Sequence, residues 1–122
     1  MSNSETSCRE KIWGQKADRI EAGLYQLDED LAKLIIDVAY ENVFAREGLD
    51  LKTRELLAIM ALMTVGTESE IKTHIYGALN CGASLTEIKE TIIQGAVYLG
   101  FPRSLVAMKA LSDVRARLAP EV

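Results

Sequence analysis

The feature that most narrows the fold of this chain is a helix stop followed by a helix start, written twice. Gly66 is followed by Thr67 and Glu70, and Gly82 by Ser84 and Glu87. In each T/S-x-x-E box the hydroxyl takes a backbone N–H of the new helix while the glutamate returns to the cap N–H. The preceding glycine closes the earlier helix at little conformational cost. Before the first signal lies LKTRELLAIMALMTV, opened by Asp50 as N-cap and apolar on nearly every side from Leu56 to Val65. That pattern suits a central helix surrounded by others.

The rest of the chain reads in the same grammar. Residues 8–24 form an amphipathic helix with Ile12, Ala17, Ile20 and Leu24 at helical spacing, closed near Gly23. Asp28 caps a second helix whose buried face is expected at Leu31, Leu34, Ile35, Val38 and Ala39, with Gly48 as its end. The helix after Ser84 should turn Ile88, Ile92, Ala96 and Leu99 inward. Beyond Gly100, Pro102 fits the first turn of a last helix with Leu105, Met108, Leu111 and Leu118 on its inner side. No segment alternates with period two, and no Asn-Gly or Asp-Gly turn occurs. The expected class is all-α: a single-domain bundle of about six helices over residues 1–122, with residues 1–7 as a flexible tail.

Composition removes several functions. At 122 residues and 48% hydrophobic the chain can bury one core, and it has no apolar run able to span a bilayer. Its net charge is -4 and its lysines and arginines are scattered, which argues against a nucleic-acid partner. The N-terminus lacks the basic flank and apolar run of a secretory signal, so a cytoplasmic location is expected. Cys8 and Cys81 make neither a disulfide framework nor a zinc site, and a single histidine is too few for a metal centre.

That histidine is His74. It shares a helical face with Ile71, Ile75 and Ala78, so its ring points into the bundle and needs a partner there. Glu55 is the best placed. It lies eleven residues before Gly66 and His74 eight after it, so at ~1.5 Å per residue the two stand within about a turn of one level. If paired, the carboxylate fixes the imidazole tautomer and favours its protonated form, making a general acid or base. Otherwise His74 is a satisfied core residue and Glu55 a solvated first-turn charge. Cys81 stands ~10 Å along the helix from His74, too far for a thiolate–imidazole pair. Arg54, Arg46 and Arg103 are each either a cation for an anionic substrate or a solvated charge, and Tyr76 and Tyr98 are rings of a core or interface before they are proton donors. Met60 and Met63 read as packing.

Residues Gly48 to Pro102 carry a further pattern: T-R-x-L-L, E-x-K-x-H, A-L-N-x-G, E-I-K-E and Y-x-G-F-P in order. With the upstream AYENVFAREGL segment, the chain resembles the carboxymuconolactone decarboxylase family, with residues 48–103 as the core of the likeness. The resemblance implies an alkylhydroperoxidase D-like all-α fold completed by neighbouring subunits, as a homohexamer built as a trimer of dimers. No cofactor and no metal are expected. The redox branch of that superfamily carries C-x-x-C ahead of its histidine; Thr67 and Glu70 occupy those two positions here, although Glu55 falls at its relay glutamate. Disulfide cycling therefore lacks its thiols. The decarboxylase branch implies His74 as proton donor, Glu55 as its orienting partner, and Arg54 or Arg46 holding a substrate carboxylate, the substrate being a small carboxylated lactone or oxo acid. Peroxidase activity and a non-catalytic ligand-binding or assembly role are the alternatives. Departures from the decarboxylase pattern are Tyr40, Phe44 and Glu47 in place of its tryptophan-rich approach, Glu55 in place of a serine after T-R, and Arg103 after the Y-x-G-x-P turn.

Overall fold

Described over residues 7–118, the computed structural model is all-α, and no strand occurs among those residues. The tail expected at residues 1–7 falls outside the described residues except for Ser7, which caps the first helix. Helix α1 (Cys8–Trp13) opens with a third capping box, Ser7 with Glu10. The single helix expected over residues 8–24 is instead broken at Gly14. This glycine takes φ 61° and begins a 3-10 turn, Gly14–Lys16, before α2 (Ala17–Leu27). Gly23 therefore lies inside α2, and the stop comes at Asp28, whose side chain accepts from the Leu31 N–H at 2.8 Å.

From Asp28 the chain runs through α3 (Glu29–Leu34) directly into a π-helical stretch, Ile35–Phe44. Its last i→i+5 bond joins the Ala45 N–H to the Tyr40 carbonyl at 3.1 Å. The expected face is corrected in part. Ala32, Ile36 and Tyr40, four apart, are buried, whereas Leu31, Leu34 and Val38 are exposed. Leu31 and Leu34 already face outward in α3, ahead of the widening, while Ile35 and Ala39 of the expected face are partly buried against the N-terminal cluster. The stretch ends at Phe44, ahead of Gly48.

Helices α4 (Leu51–Val65), α5 (Glu68–Asn80), α6 (Leu85–Leu99) and α7 (Phe101–Leu118) form the main bundle. Asp50, Thr67 and Ser84 all cap as their sequence patterns indicate, the last two as full boxes. The core is built by Ile59 and Met63 of α4, Ile71 and Ile75 of α5, Ile88 and Ile92 of α6, and Leu111 and Val114 of α7. Each such side chain contributes about 1.5–3 kcal/mol on burial.

Two expectations are corrected here. On α7 the buried stripe is Ala107, Ala110, Leu111 and Val114, while Leu105 is 69% exposed. Alanines bring α7 close to its neighbours, and the close side decides the stripe. Helix α4 is not enclosed all round either: Leu57 and Val65 face outward. Large exposed apolar groups recur at Leu27, Val97, Tyr98 and Phe101. No helix among the described residues is long and apolar enough to cross a membrane.

The N-terminal half makes its own small cluster, in which Ile12, Trp13 and Tyr40 are buried. Trp13 meets Tyr40 edge-on with ring centroids 4.9 Å apart. This cluster is fastened to the bundle by Asn80, whose Nδ2 donates to the Ile12 carbonyl at 2.8 Å. An orphan carbonyl near the end of α1 is thereby satisfied from the end of α5.

Candidate active site

Helices α4 and α5 turn back on each other at Gly66 and bring Glu55 to His74: Nδ1 lies 2.9 Å from Oε1. The pairing read from residue counting is therefore present. Glu55 is the only buried charged residue described, with no exposed surface, whereas the His74 side chain keeps 22% of its own. The ring thus spans from a dry carboxylate to the surface. A carboxylate only accepts, so Nδ1 carries the proton and donates it to Glu55. Nε2 is left free, with no hydrogen-bond partner among the described residues.

The carboxylate is crowded on one side. A Cβ placed on Gly77 would come 2.5 Å from Glu55 Oε1 and 2.9 Å from Ile12 Cγ2, so the absence of a side chain at Gly77 makes the room in which Glu55 sits. Glu55 Oε2 is buried without a hydrogen-bond partner among the described residues. Such an atom is costly unless a ligand or water meets it.

The charge of Glu55 is felt nearby. Burial first, then the Glu55 carboxylate, pushes the Tyr40 hydroxyl up to about 12. Burial, then Glu55 and Cys8, pushes the Cys81 thiol up to about 11, and Cys8 is raised by burial, Glu41 and Glu55. Both thiols are held in the protonated, unreactive form.

Thr67 and Glu70 are absorbed by the helix cap. Glu70 Oε1 accepts from the Thr67 N–H at 2.9 Å, and this bond and the Thr67 hydroxyl hold the Glu70 carboxyl below its ordinary range.

Of the arginines, Arg54 is half-buried and donates through Nη2 to the Arg46 carbonyl at 3.1 Å, while its buried Nε has no partner. It braces the loop before α4. The Arg46 side chain is exposed, and this residue enters the arrangement through its backbone. Arg103 reaches the Thr64 carbonyl at 3.4 Å, at the C-terminal end of α4. Tyr76 carries the Lys16 ammonium over its ring, Tyr98 is exposed, and Met63 is packed in the core beside Gly95.

Sequence reading missed Gly77, Asn80 and the Trp13–Tyr40 pair. A glycine in the interior of a strong helix, three residues after the histidine, was the available signal for Gly77, since glycine there is disfavoured unless something needs its space. No group of three or more potential ligands that could hold a metal occurs among the described residues. A cleft of about 860 Å³ runs between α1, the 3-10 turn, α5 and the end of α7, but neither His74 nor Glu55 lines it.

Comparison with known proteins places this geometry in context. The model of the carboxymuconolactone decarboxylase family matches residues 29–113. The chain is 33% identical over 107 residues to a 4-carboxymuconolactone decarboxylase from Acinetobacter baylyi, spanning 87% of this chain and 80% of that protein. It is 37% identical over 86 residues to a nitrosuccinic acid decarboxylase, npaB, from Metarhizium robertsii, spanning 67% of this chain and 60% of that one. An uncharacterised 15.0 kDa protein of Paracoccus denitrificans is 36% identical over 84 residues, covering 67% of this chain and 63% of its own length.

Proposed function

Because this chain belongs to the carboxymuconolactone decarboxylase family, we propose that it is a carboxy-lyase acting on a small carboxylated lactone or related acid through His74. Two of its relatives bear the name of a decarboxylase, one for carboxymuconolactone and one for nitrosuccinic acid. The observation that carries the reading is the 2.9 Å contact between His74 Nδ1 and the buried Glu55 carboxylate.

In this mechanism the bond between the substrate and its carboxylate carbon breaks, carbon dioxide leaves, and the electron pair moves into a dienolate. Protonated His74 then delivers the proton on Nε2 to a remote carbon and is reprotonated from water. Glu55 holds the ring in register and balances the imidazolium charge, so it is a positioning residue. Arg54 is the cation assigned to the substrate carboxylate, with Arg46 as the second.

The same reading has the chain work as a homohexamer, a trimer of dimers, in which a neighbour covers the exposed edge of His74. Exposed Val65, Val97 and Phe101 support burial between copies. Carbon dioxide release from 4-carboxymuconolactone and from nitrosuccinate tests the reading. Wild-type protein should turn over the lactone, and His74→Ala should lose on the order of 10²–10⁴-fold. Folded wild-type protein that releases carbon dioxide from neither acid sinks it.

A further inference from the structure

We propose that the cleft between α1, the 3-10 turn and α5 is a second binding site, separate from His74, for a small carboxylate with a flat apolar body. The inference goes beyond decarboxylation and does not depend on it. At about 860 Å³ the cleft has the size of a small-molecule site. Its charge is one-sided. Lys16, Lys72 and Arg117 line it and no aspartate or glutamate does, in a chain with 18 acidic and 14 basic residues.

Of these cations Lys72 is already engaged, by Glu68 at 3.3 Å and Asp113 at 3.0 Å. Lys16 and Arg117 are exposed and form no ion pair among the described residues. These two are the available donors for an anion. The Lys16 ammonium sits 4.5 Å from the centroid of the Tyr76 ring, which fixes a cation beside an aromatic face. Trp13 and Ile12 extend the apolar wall. A carboxylate on Lys16 and Arg117 would lay a flat body along that wall, between Tyr76 and Trp13.

The floor of the cleft gives the site a consequence. Gly77 and Ile12 line it, and it is the missing side chain of Gly77 that leaves room for the Glu55 carboxylate behind it. A ligand seated there touches the partition behind the Glu55 carboxylate without reaching His74.

The test uses the full-length protein and benzoate as probe. Trp13 is the sole tryptophan and lies in the cleft wall, so its fluorescence reports occupancy directly. Benzoate should change it saturably at constant ionic strength, with chloride giving no such change. Lys16→Gln or Arg117→Gln, both at exposed positions, should weaken the affinity about tenfold, with thermal melts showing the fold retained. His74→Ala should bind as wild type does. No saturation up to ~10 mM overturns the proposal, as does unchanged affinity in both cleft variants. Loss of binding in His74→Ala also overturns it, by placing the probe in the active site.

Discussion

Gly77 stands directly behind the Glu55 carboxylate, and a single added methyl group there would meet Oε1 at 2.5 Å. The far end of a glutamate can swing, so Gly77→Ala should leave the bundle folded and instead turn the carboxylate off His74 Nδ1. The expected cost in stability is about 1–3 kcal/mol. The imidazole N–H resonance bonded to Glu55 should disappear from the proton NMR spectrum. A variant that keeps that resonance would show that the glycine is not what seats the carboxylate.

Glu55 and His74 should behave as one unit in turnover. Glu55→Gln keeps the volume of the side chain but removes the charge facing the ring, and His74→Ala removes the proposed proton donor. The double variant should be no slower than His74→Ala alone, because residues acting in one step are strongly non-additive. Losses that simply multiply in kcat would separate the two roles.

Cys81 should be a poor nucleophile. Its thiol is pushed from the usual value of 9.0 to about 11, so at mildly alkaline pH the thiolate fraction falls on the order of 100-fold below that of an ordinary cysteine. Alkylation by iodoacetamide should be slowed to a similar degree in the native protein and restored on unfolding. Cys81→Ser should leave decarboxylation unchanged. Rapid native alkylation would reopen thiol chemistry at this site.

Tyr40 predicts an alkaline limit to stability. Its hydroxyl rises from 10.0 to about 12 on folding, chiefly through burial and then through Glu55. The folded state therefore holds this proton more tightly than the unfolded chain does. The resulting stabilisation is complete below pH 10 and drains away as pH climbs toward about 12. Urea melts across that window should show the decline, and Tyr40→Phe should flatten it.

What could be read in advance was whatever depends on near neighbours along the chain. The Thr67–Glu70 and Ser84–Glu87 boxes act within one turn, and both formed as written. Even the Glu55–His74 contact reduces to counting along two rigid helices from one turn. The failures share a different cause. Leu31, Leu34 and Val38 fit an inward stripe on spacing alone, but the packed residues are Ala32, Ile36 and Tyr40, the last meeting Trp13 of another helix. Leu105 suits the inner side by size, yet the small Ala107 and Ala110 are the ones fully buried. Gly14 interrupts a spacing that continues plausibly through Ile12 and Ala17, because its reason lies in Asn80, far along the chain. Gly77 was invisible for the same reason: what it accommodates belongs to another helix.

The bond from Asn80 to the Ile12 carbonyl joins residues 68 apart in the chain. The hairpins α4–α5 and α6–α7 close through turns of a few residues, whereas α1 must wait for a long loop to close. The order of assembly expected from this brings Glu55 and His74 together in an early hairpin while the carboxylate is still hydrated, with α1 arriving last to expel that water. Pulsed hydrogen exchange should accordingly protect amides of α4 and α5 before those of α1. The first helix in the chain would then be the last to fold, and the one that dries the acid.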